Sequence, residues 1–186
     1  EKGIPEDERE VEKVRIGRII EERMMDEILS ALPTDKLEEL RDLIKDDNFP
    51  EEKFDEITEE FFDAANKLLT AAKPDQTDEE KARNIYHAIS SSMTYDDSAM
   101  EDIERKESYY AYLNNSGVCI TFATVYNQLL TQVGIQTTLA HCDNTDTVGH
   151  TWSIITLNGK QYFCDPTYEL NYDNGNGYRF YGMNYA

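Results

Sequence analysis

A chain of 186 residues with 39% hydrophobic content, 12 Tyr and 7 Phe holds enough apolar material for a core, which excludes wholesale disorder. Its formal net charge of -20 excludes nucleic acid and anionic membrane surfaces as partners, since both repel it. The acidity is concentrated at the front: residues 1–80 hold 27 acids against 12 bases, and residues 81–186 hold 11 against 6. No apolar run reaches the roughly 20 residues of a membrane span, and no signal-peptide core is present. The chain begins at Glu1, and the favoured compartment is extracytoplasmic, after loss of a signal segment, with the cytoplasm as the alternative. Three cysteines, an odd number, do not describe a disulfide framework.

The first elements read as helices. Ile16, Ile20, Met24, Ile28 and Leu32 recur at steps of four and form one apolar stripe, ended by Pro33. Thr34 caps a shorter helix with Leu37, Leu40, Leu43 and Ile44 inward, and Pro50 opens a third with Phe54, Ile57, Phe61, Leu68 and Leu69 on its apolar face. Residues 1–76 are therefore expected to form an acidic helical N-terminal region. Its charged exterior reads first as a solvated surface and second as a face for a protein partner.

The boundary falls at Pro74-Asp75-Gln76, and residues 77–186 are expected to form the core domain. Thr77 and Glu80 have capping-box spacing, and the helix they open buries Ala82, Ile85, Tyr86, Ile89 and Met93. It stops near Thr94-Tyr95-Asp96, and residues 96–108 read as a polar connection. Ser116-Gly117 precedes another helical pattern of Phe122, Val125, Tyr126, Leu129, Leu130 and Val133, with Gly134 as its stop. Cys119 then lies in the first turn, where free N–H groups and the helix dipole favour a thiolate.

Three strands follow: Ile135–His141, His150–Leu157 and Lys160–Asp165, the last two joined by the hairpin signal Asn158-Gly159. A two-residue turn sets Leu157 opposite Lys160 and therefore Trp152 opposite Asp165. His150 lies two residues along the same strand face, diagonal to Asp165 at about 7 Å, within reach of an imidazole–carboxylate hydrogen bond. The same parity turns Cys164 away from this face. Cys142 and Cys164 read as core cysteines with no bridge between them, and His87 and His141 as structural.

Cys119, His150 and Asp165 thus have the chemical types of a nucleophile, a base and an orienting carboxylate. Ser116-Gly117-Val118-Cys119 with Phe122-Ala123 resembles the nucleophile segment of the transglutaminase-like superfamily. Gly149-His150-Thr151-Trp152 resembles its histidine strand and Tyr162-Phe163-Cys164-Asp165-Pro166-Thr167 its aspartate strand. Helix Ile85–Asp96, ending in Thr94-Tyr95-Asp96, recurs in bacterial members. The resemblance implies an α+β, papain-like fold, with the nucleophile helix packed on an antiparallel sheet and the helical region in front.

It also implies a Cys–His–Asp triad of Cys119, His150 and Asp165, acting on a peptide or protein substrate through a thioester. No cofactor and no metal is expected. A second oxyanion donor from an upstream side chain is implied, for which Tyr95 is the candidate, and Trp152 is a candidate wall of the substrate channel. The chain departs from many bacterial members in carrying Ile120-Thr121-Phe122 where they have Gln-Gly-Tyr, a change that bears on substrate preference. Hydrolysis of a peptide or glutaminyl amide is the favoured outcome, since no acidic tunnel for an amine is recognisable. Amine transfer and glycosylamide cleavage use the same triad. A catalytically silent binding module, working through the acidic helices, is the alternative of another class.

Overall fold

The computed structural model describes residues 63–102, 106, 108–143, 149–172 and 175–184. The expected helices before residue 63 lie outside these residues. A helical stretch over 63–69 contributes Leu68 to the core, with Leu69 packed against it. Helix α1 (Asp78–Ser92) starts as its capping box requires: Thr77 Oγ1 accepts from Glu80 N at 3.2 Å, and Glu80 Oε2 accepts from Thr77 N at 2.8 Å.

Strand β1 (Thr94–Tyr95) follows and pairs in parallel with β2 (Ser116–Gly117), placing Tyr95 opposite Gly117. Between them run a 3-10 turn over Asp97–Met100, capped by Asp96, and helix α2 (Ser108–Asn114). The polar connection expected over 96–108 therefore contains regular structure. α2 escaped the sequence reading because its Tyr-rich stretch has strand-like composition, whereas packing buries Ala111 and Tyr112 in the core.

Helix α3 (Cys119–Gln132) is the centre of the molecule. Phe122, Val125, Tyr126, Leu129 and Leu130 are all at most 1% exposed, and fully burying one such aliphatic or aromatic side chain contributes about 1.5–3 kcal/mol. Gly134, at φ 82°, ends it in a Schellman motif: Ile135 N donates to Leu130 O at 2.9 Å and Gly134 N to Thr131 O at 3.0 Å.

The sheet is antiparallel, in the order β3 (Thr137–Cys142), β4 (His150–Leu157), β5 (Lys160–Cys164). Leu157 faces Lys160 across Asn158 (φ 51°) and Gly159 (φ 75°), the hairpin register expected from Asn-Gly. Burial alternates strictly along β4. Thr151, Ser153, Ile155 and Leu157 point at the core and α3, whereas His150, Trp152 and Ile154 lie on the other face. Cys164 is fully buried on the core side.

Cys142 is exposed, not a core residue. β3 is an edge strand, and Cys142 sits opposite His150 at its end. The last segment runs beside β5, bridged at Phe163 and Met183 and hydrogen-bonded from Asp165 N to Phe180 O at 2.9 Å.

Candidate active site

Three chain segments converge at one end of the sheet. Cys119 is the first residue of α3, 8% exposed, at the end of the helix with unpaired N–H groups. Gly117 just before it is needed for space rather than for an unusual φ. A Cβ there would lie 2.7 Å from the Cβ of Thr121, whose hydroxyl accepts the Val118 N–H at 3.3 Å and donates to Lys106 O at 3.1 Å. Thr121 packs against the turn that presents the thiol.

His150 opens β4 and its side chain is 17% exposed. Its Nε2 lies 2.6 Å from Asp165 Oδ2, which leaves Nδ1 for Cys119. Gly149 sits in a tight place, since a Cβ would stand 3.0 Å from Cys142 O and 3.2 Å from the His141 ring. The Gly-His-Thr-Trp motif is thus partly a packing requirement of the β3–β4 pair.

Asp165, 3% exposed, caps the short helix α4 (Pro166–Glu169). Its Oδ1 accepts from Thr167 N and Tyr168 N, both at 3.1 Å, so Oδ2 is turned to the imidazole. Pro166 occupies the first helical position, where a missing N–H costs nothing. The Asp-Pro-Thr motif therefore reads physically as a cap with one oxygen left over.

Burial works to raise the Cys119 thiol pKa, but hydrogen bonding from the His150 ring and the Thr151 N–H, with the charge of His150, holds it below the ordinary thiol value. The hydrogen bond to Asp165, then that to Cys119, pushes His150 up to about 10 against the cost of burial. The two shifts have opposite signs and favour a thiolate–imidazolium pair.

Two aromatic rings lie against His150. Trp152, on the same strand face, is stacked at 5.9 Å between centroids and 23° between planes. Tyr168 is closer, at 4.4 Å and 18°. Tyr168 was not anticipated, although a readable signal existed: the residue three after an Asp-Pro cap returns over the cap. Beside the histidine lies a groove of about 500 Å³ whose lining includes Cys142, Trp152, Phe163, Tyr168, Phe180 and Met183.

The β1–β2 pairing brings Tyr95 to the nucleophile. Burial, then the charge of Cys119, raises its phenol above the usual tyrosine value, while the Cys119 backbone N–H acts on it in the opposite sense. The phenol therefore stays protonated near Cys119. His141, read from sequence as structural, is held by Thr151 Oγ1 at 2.8 Å and Asp143 Oδ1 at 2.9 Å. Among the described residues no group of three or more His, Cys, Asp or Glu is placed to hold a metal ion. No described helix is long and apolar enough to cross a membrane.

Comparison with known proteins adds the family. Residues 64–166 match the model of the transglutaminase-like superfamily. A solved crystal structure of a TGase is similar at 18% sequence identity with a TM-score of 0.50, over 72% of this chain and 37% of that one. At this identity the likeness is one of fold, and this chain spans little more than a third of that structure. No match is found among curated proteins. The family match covers more than half of the sequence, and the chain belongs to the transglutaminase-like superfamily.

Proposed function

We propose that this protein is a cysteine enzyme that attacks peptide or glutaminyl amides through a thioester on Cys119, with water as the acceptor. The observation that carries the reading is the 2.6 Å His150–Asp165 bond, with the other ring nitrogen free to serve a thiol at a helix start. In this reading His150 takes the Cys119 proton and the thiolate attacks the amide carbonyl. The oxyanion is held by the Cys119 N–H and the Tyr95 hydroxyl. The imidazolium returns its proton to the leaving amine, and His150 then activates water to cleave the thioester. Asp165 keeps the ring oriented throughout.

Hydrolysis is favoured by the character of the groove. Asp165 is the only carboxylate among the described residues that line it, and its two oxygens are engaged by His150, Thr167 and Tyr168. An amine would find no free counter-charge there.

A glutamine-containing peptide incubated with the protein, with and without a primary amine, tests the acceptor by mass spectrometry. Deamidated or cleaved product, unchanged by the amine, is expected; amine adducts would replace hydrolysis by transfer. Tyr95→Phe is expected to lower kcat by about tenfold or more, with KM little changed, as removal of an oxyanion donor does. An unchanged kcat would release Tyr95 from that role.

A further inference from the structure

We propose that Glu169 is a positioning residue that holds Asp165 in place and, through it, aims the His150 ring; the inference rests on the reading of Cys119, His150 and Asp165 given above. Glu169 is completely buried, and no Lys or Arg among the described residues pairs with it. Its Oε1 is buried without a hydrogen-bond partner and sits under Gly177, where a Cβ would come within 2.5 Å of it. A carboxylate buried in this way costs several kcal/mol, so what its other oxygen does is informative.

Glu169 Oε2 accepts the Tyr86 hydroxyl at 2.8 Å and the Phe180 N–H at 2.8 Å. These are the two groups that bracket the Asp165 backbone. The Tyr86 hydroxyl also lies 2.9 Å from Asp165 O, and Phe180 O accepts the Asp165 N–H at 2.9 Å. One carboxylate oxygen therefore ties α1 to the 175–184 segment, with Asp165 clamped between them. Burial and the Glu169 carboxylate hold Tyr86 well above the usual phenol range, so it remains a donor. Phe180 also packs on Tyr168 at 5.6 Å, and Tyr168 stacks on His150. Slackening the clamp would disturb both the carboxylate beneath the imidazole and the ring over it.

The test is the pH dependence of Cys119 alkylation, measured with thermal stability on the same samples. Tyr86→Phe removes one hydroxyl, and Glu169→Ala removes the whole clamp. Both are expected to move the alkylation midpoint up towards the free-thiol value of about 8.5 and to slow labelling at about pH 6 by tenfold or more. Glu169→Gln keeps an acceptor oxygen and is expected to recover most of the shift seen in Glu169→Ala.

A lowered Tm with a wild-type alkylation profile in Tyr86→Phe would make the clamp mere packing and overturn the proposal, even if Glu169→Ala fails to fold. If the wild-type protein itself labels like a free thiol, the proposal falls together with the reading it rests on. If the wild type labels as a thiolate and the variants do too, it falls alone.

Discussion

His150→Ala is expected to slow alkylation of Cys119 by iodoacetamide at about pH 6 by about a hundredfold, with the fold intact. The histidine supplies a hydrogen bond and a positive charge to the sulfur, and both hold the thiol below its ordinary value. Without them burial prevails, and burial raises a thiol pKa. The helix start and the Thr151 N–H remain, so the variant should label no slower than a modestly buried free cysteine. In the wild type the thiolate–imidazolium pair exists between the lowered Cys119 value and the His150 value of about 10. Turnover should therefore rise with pH as the thiol ionises, and fall as pH passes about 10, when His150 loses the proton it gives to the leaving amine. Alkylation needs no general acid and should show only the first limb. Wild-type labelling indistinguishable from that of a free cysteine would remove the enzyme reading and favour a binding module.

Asp165→Asn is expected to lower kcat/KM by about a thousandfold, for a reason the cap geometry dictates. Oδ1 is committed to the Thr167 and Tyr168 N–H groups, so the new NH2 group would face His150 Nε2. An acceptor becomes a donor. The protonated ring then has no partner at Nε2, and the imidazolium loses its main support. If the amide flips instead, the histidine recovers an acceptor, but the α4 cap is lost at a cost of about 1 kcal/mol.

Stability follows the same logic. The folded-state His150 value is raised from 6.5 to about 10, so the stabilisation it brings is fully present below 6.5 and lost as pH rises through about 10. The gap in unfolding free energy between wild type and Asp165→Asn should narrow over that window, which denaturant titrations at several pH values would measure. A gap independent of pH would mean that the pair is not charged in the folded protein.

Much of the site was legible because its parts are local. Thr77 and Glu80 lie within one turn and satisfy each other's backbone groups wherever the helix packs. The Asn158-Gly159 turn requires positive φ at both residues, which sets the register and brings His150 and Asp165 together over only fifteen residues. Cys119 at a helix start followed from the apolar period of α3 and its Gly134 stop. By contrast, Cys142 looked like a core residue because alternation along a strand says nothing of which strand is the edge. Nothing near Gly117 in the sequence shows that Thr121 fills the space beside it.

Glu169 is the extreme case. In sequence it is an ordinary acidic residue in an acidic chain, and its partner Tyr86 is 83 positions away. By itself the amino-acid sequence determined helices α1 and α3, the hairpin register and the chemical types at the site, because caps, periods and turns act within a few residues. The tertiary structure alone decided which rings cover His150, what fills the space beside Gly117 and how Asp165 is held. Those contacts exist only once α1, α3, the sheet and the 175–184 segment are packed against one another.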